Sequence, residues 1–102
     1  MNSGIINKQR YWSNVVELYN DGDFSVIWGN FTDDPKPCLG IRWNGENENS
    51  VGFPRNGGEK LWFVLPNSLA GMVLLALYEK VGINLKDGNL EKILEVIKEC
   101  KN

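Results

Sequence analysis

LWFVLPNSLAGMVLLALYEKVG, residues 61–82, is where the chain changes its hydrophobic period. Leu61 to Leu65 is a short aromatic and branched run, ended by Pro66, and reads as a strand. Beyond it the spacing turns helical. Leu69, Met72, Val73, Ala76, Leu77 and Lys80 recur at three- and four-residue steps. Asn67 or Ser68 supplies the cap and Gly82 the stop, so the spacing predicts a helix over 68–81.

Upstream the pattern is extended. Val15 to Tyr19 and Phe24 to Phe31 are β-favouring runs around Asn20-Asp21-Gly22-Asp23. Asp-Gly is a preferred pair for a two-residue type I′ turn, which sets Tyr19 opposite Phe24, Glu17 opposite Val26 and Val15 opposite Trp28. A short helix from a Ser13 cap competes for residues 14–20. Thr32 to Pro37 is a loop, Leu39 to Asn44 a third strand, and residues 44–50 a polar loop. Val51 to Phe53 is a brief extended piece, and Pro54 to Glu59 is a Gly-rich turn. Downstream, Asn89 caps a last helix over 90–100, with Leu90, Ile93, Leu94, Ile97 and Cys100 as its inner stripe. Residues 1–10 are a polar lead-in.

Strands first and helices last give an α+β fold in a single domain, 1–102. The expectation is an antiparallel sheet of four to five strands, followed by two C-terminal helices packed on one face. One sheet face carries Phe24, Val26, Trp28, Leu39, Ile41, Trp43, Leu61, Phe63 and Leu65 and is the expected core. The other carries Val16, Leu18, Ile27, Phe31, Cys38, Arg42, Trp62 and Val64, and is also largely apolar. The helix over 68–81 has a similar surplus in Ala70, Leu74, Leu75 and Tyr78. Two helices cannot cover both faces, and apolar surface without an intrachain partner marks an interface. Ile27, Val64, Leu74 and Tyr78 are the expected interface of a homo-oligomer, a dimer.

The chain has 102 residues, four tryptophans, no histidine and a net charge of −2. Without imidazole there is no Ser-His or Cys-His catalysis and no His-ligated zinc. The charge is balanced along the chain, so the clustered Lys/Arg of a nucleic-acid binder is missing. Cys38 and Cys100 read as packed, reduced thiols, and Cys38 has no histidine to lower its pKa. Residues 1–10 lack the apolar core of a secretory signal, and the run Leu69 to Tyr78 is too short to span a bilayer. A cytoplasmic location without membrane insertion is expected.

The order DGDFSVIWGNF, LGIRWNG, GFP and LWFVLP, over roughly residues 15–80, resembles a group of small uncharacterised bacterial proteins, some of them carried on integron gene cassettes. The resemblance implies a compact α+β fold with no assigned activity. Cassette cargo includes toxin–antitoxin, phage-defence and small-molecule-binding proteins.

Four stretches are candidates for chemistry. In Arg42-Trp43-Asn44, strand alternation puts Arg42 and Asn44 on the face opposite Trp43. Arg42 can then stand beside Trp62 as a cation–π shelf for an anion. The competing reading is an Arg stem that covers the indole. Trp28, Trp43, Phe24 and Phe63 could line a pocket, but they share a face with Leu and Val and read as core. Phe53-Pro54-Arg55-Asn56-Gly57-Gly58 offers Gly-rich backbone and Arg55 to a phosphate. It lacks P-loop spacing and reads as a hairpin turn. Asn44, Glu46, Glu48 and Ser50 alternate oxygens without the glycine, distal glutamate or helix of a calcium loop.

No catalytic residue, metal site or cofactor is assigned. The expected function is a small non-enzymatic binding module that associates with itself or a protein partner through a sheet face and helix 68–81. The alternatives are a small-ligand receptor or enzyme with Arg42, Trp62, Asn44, Phe53 and Arg55 at its site, and an antitoxin or immunity-type protein.

Overall fold

The first hairpin is organised by Asp21. Its carboxylate accepts the N–H of Asp23 at 2.9 Å and of Phe24 at 3.0 Å. The side-chain oxygen of Asn20 accepts the N–H of Gly22 at 2.9 Å. Within this turn only Gly22 has positive φ, 97°. A type I′ turn needs positive φ at both central residues, so the expected two-residue turn does not form. The longer side-chain-bonded loop moves the register: Tyr19 pairs with Val26 and Asn20 with Ser25. The computed structural model describes residues 11–32, 34–46 and 50–100. The lead-in 1–10 and the loop positions Asp33 and Glu48 lie outside these residues.

The strands are β1 (Trp12–Asn20), β2 (Phe24–Phe31), β3 (Cys38–Trp43), β4 (Arg55–Asn56), β5 (Glu59–Lys60) and β6 (Phe63–Leu65). The helices are α1 (Asn67–Ile83) and α2 (Leu90–Cys100). β1, β2, β3 and β6 form an antiparallel sheet in that order, and β4–β5 is a separate small hairpin. The fold is α+β, with both helices at the C-terminal end of the chain. Residues 14–20 are strand, not a Ser13-capped helix.

β1 is irregular, with register shifts between Ser13 and Val16 and between Glu17 and Tyr19, and Asn14 at φ 55°. Each extra residue reverses the alternation of side chains. That is why Leu18 and Val16 pack beneath the helices, not on the second face where simple alternation places them.

α1 begins one residue earlier than the spacing predicts and runs through Gly82 to Ile83, with Pro66 at the cap position. Asn67 is not the cap: its amide donates to the Pro37 carbonyl at 3.3 Å. The inward stripe is Ala70, Leu74, Leu77 and Val81, while Leu69, Met72, Leu75 and Tyr78 are exposed. The expected stripe is therefore turned. α1 is apolar on nearly every side, so its period does not choose a face and packing does. Leu74, an expected interface residue, is fully buried in the core. α2 follows its expected bounds, and the Asn89 side chain accepts the Lys92 N–H at 3.1 Å as its cap. Its buried residues are Ile93 and Val96, with Leu94 exposed.

The main core lies between helices and sheet and contains Leu18, Val26, Trp28, Leu39, Leu74, Leu77, Val81, Ile93 and Val96. A second cluster covers the opposite sheet face, where Trp12, Ile27 and Trp62 are buried together with Val15, Phe31 and Cys38 against them. Trp12 lies so close over β3 that a Cβ on Gly40 would stand 2.8 Å from the indole. The second face is thus covered by the chain itself, and the expectation that it is free for a partner is corrected. Ile27 is fully buried there, whereas Val64 is exposed at the β6 edge. Among the described residues, no helix is long and apolar enough to cross a membrane.

Candidate functional site

Strand alternation sends Arg42 and Trp43 to opposite faces of β3, and their environments differ completely. Arg42 is 1% exposed. Its Nη1 donates to the Leu61 carbonyl at 3.0 Å, and its Nη2 donates to the Val51 carbonyl. Its guanidinium carbon lies 5.8 Å from the ring centre of Trp62, as the alternation requires. Trp62 is buried too, so the pair is a sealed cation–π contact without an open shelf. Nε has no acceptor among the described residues. Burial pulls the Arg42 pKa below the usual guanidinium range. Burial, and then the charge of Arg42, pulls Lys60 down as well. The guanidinium pins the 51–61 loop onto the second face, and Gly52 makes the approach possible. At φ 81° Gly52 passes so close to the Trp43 carbonyl and to Nη2 that no Cβ fits.

Asn44 is buried beside Arg42 but faces other partners. Its side-chain oxygen accepts the Ser25 hydroxyl at 2.8 Å, and its amide donates to Asn20 at 3.1 Å. It joins the ends of β1, β2 and β3. Arg55 stands apart on the β4–β5 hairpin, exposed, with Nη1 donating to the Gly57 carbonyl at 3.1 Å. The five candidates are therefore divided: Arg42 and Trp62 meet, Asn44 braces the strand ends, Arg55 lies on the hairpin, and Phe53 belongs to another cluster.

That cluster is on the helix-facing side. The chain leaves β6 at Leu65, enters α1, and returns to β1 where Gly88 bridges Tyr19. α1 must therefore cross the sheet diagonally, and it leaves one corner bare. The corner holds Trp43, Phe53 and Phe63, exposed by 57%, 55% and 47%. Phe53 pairs with Trp43 through two backbone hydrogen bonds, of 2.7 and 3.0 Å. Phe53 and Phe63 meet edge to face at 5.5 Å, and Phe24 and Trp43 at 5.7 Å. A shallow apolar groove of about 180 Å³ runs between Phe24, Ile41, Arg42, Trp43 and Phe63. Trp43 and Phe63 occupy the expected face but not the expected core. The sequence signal was the surplus of large apolar residues on that face.

The thiols are not activated. Burial, and then the charge of Asp34, pushes Cys38 up; burial and Glu99 push Cys100 up. Among the described residues no group of His, Cys, Asp or Glu side chains could hold a metal ion. What the corner offers is fixed aromatic surface. Comparison of the chain with protein-family models, curated proteins and solved structures gives no match.

Proposed function

We propose that this protein is a small non-enzymatic interaction module that associates with a second copy of itself through the bare aromatic corner of the sheet and the outer face of α1. The observation that carries this reading is the joint exposure of Trp43, Phe53 and Phe63 on a hydrogen-bonded sheet. Monomeric proteins rarely leave such a contiguous apolar patch in water. Aromatic residues and Met are enriched at the centres of protein interfaces. Met72, Leu75 and Tyr78 are also exposed, on α1. The groove is smaller than the 300–1,000 Å³ usual for small-ligand pockets, so a single apolar side chain suits it better than a metabolite.

Sedimentation velocity at micromolar concentration is the test. The expected result is a dimer in the wild type and a folded monomer in Trp43→Ala, Phe63→Ala and Leu75→Glu. A monodisperse wild-type monomer at about 100 μM, where even a weak dimer of about 10 μM Kd is mostly assembled, overturns the proposal.

A further inference from the structure

α1 begins beside the end of α2, and a cavity of about 350 Å³ lies between them. It is lined by Trp28 of β2, by Lys36 and Pro37 of the β2–β3 loop, by Asn67 at the start of α1, and by Glu99 and Cys100 at the end of α2. This is the opposite end of the sheet from the aromatic corner, because Trp28 pairs with Leu39 and Phe24 with Trp43. The volume falls within the small-ligand range, unlike that of the corner groove.

The lining combines one cation, one anion and an indole. Lys36 and Glu99 are both exposed. Among the described residues no ion pair joins them. The start of α1 adds positive potential on the Asn67 side. It has no acidic residue in its first turn and no side-chain cap. Asn67 is held in place by its bond to the Pro37 carbonyl, which ties the loop carrying Lys36 to the helix. Trp28 is 8% exposed and offers an apolar wall.

We propose that this cavity binds a small zwitterion of the α-amino-acid type. The carboxylate lies toward Lys36 and the start of α1, the ammonium toward Glu99, and the apolar portion against Trp28. A simple anion would meet Glu99, and a simple cation would meet Lys36. A ligand with both charges suits the two ends.

Cys100 lines the cavity and reports on its occupation. In Cys38→Ser protein it is the sole thiol. Its labelling by a disulfide reagent is followed near pH 8, about half a unit below an ordinary thiol pKa. The probes are the free L-amino acids without a thiol, each at about 10 mM, enough to saturate a site of about 1 mM Kd. At least one is expected to slow labelling by about threefold or more. Its decarboxylated and deaminated counterparts should each bind at least about tenfold more weakly, or 1.4 kcal/mol. Lys36→Ala and Glu99→Gln should each raise the Kd of that amino acid about tenfold in calorimetry while leaving the circular dichroism spectrum unchanged. The proposal is overturned if no amino acid slows labelling, if a singly charged counterpart does so equally well, or if both variants retain the wild-type Kd.

Discussion

Tyr19 and Asp21 show how one short polar contact couples a turn to the core. The Tyr19 hydroxyl donates to the Asp21 carboxylate at 3.0 Å. Burial, then that hydrogen bond, and then the charges of Asp21, Asp87 and Asp23 push the Tyr19 pKa up to about 12. Burial acts to raise Asp21 as well, but the N–H groups of Phe24 and Asp23, the Tyr19 hydroxyl and the charge of Lys80 outweigh it and hold the carboxyl below its usual range. The two shifts act at opposite ends of the pH scale. Tyr19 is raised, so its share of stability is complete below the unfolded value near 10 and is lost as pH climbs toward 12. Asp21 is lowered, so its share is complete above the unfolded value near 3.8 and is lost as pH falls through the folded one. Asp21→Asn should bring Tyr19 down toward 10, read from phenolate absorbance, and flatten stability at both extremes. A Tyr19 pKa unmoved by that change would leave the shift to burial and the charges of Asp87 and Asp23.

At the scale of elements, α1 and α2 are opposites. α2 alternates charge and hydrocarbon, so its bounds, its Asn89 cap and the inward Ile93 are all readable from spacing. α1 is apolar almost all round, and its period fits more than one face. The choice is made by contact with the sheet and α2, which bury Leu74 and leave the adjacent Leu75 59% exposed. Leu74→Ala should cost about 2–5 kcal/mol in urea unfolding. In protein kept monomeric by Trp43→Ala, adding Leu75→Ala should change stability by no more than about 0.5 kcal/mol, as surface changes do. Equal losses would mean that the helix is rotated from the orientation described. β1 carries a related lesson. The register shift between Ser13 and Val16 moves Val16 and Leu18 to the helix side, and nothing in the alternation of residues 12–20 announces where a bulge will fall.

The whole molecule is three layers deep: helices, sheet, and a cover of Trp12 and Trp62 beneath. The third layer exists because Arg42 draws the 51–61 loop inward by two carbonyls. Trp62 is therefore part of the folded core. Trp62→Ala should lower stability by about 3–5 kcal/mol, the range for emptying a large aromatic site, and should do so equally at all protein concentrations. A loss confined to concentrations where the protein associates would return Trp62 to an interface.

The α+β class, the order of strands and helices, and the pairing of Arg42 with Trp62 follow from hydrophobic period and strand alternation, which act locally and can be read along the chain. Which apolar surface stays in water does not follow. The surplus itself is visible as a count of large residues on each face. Its place depends on the diagonal path of α1 and on the loop folded under β3. These long-range choices covered Ile27, Leu74 and Trp62 and left Trp43, Phe53 and Phe63 bare. Coverage is a property of how elements cross in space, and the sequence records only which residues each element has to offer.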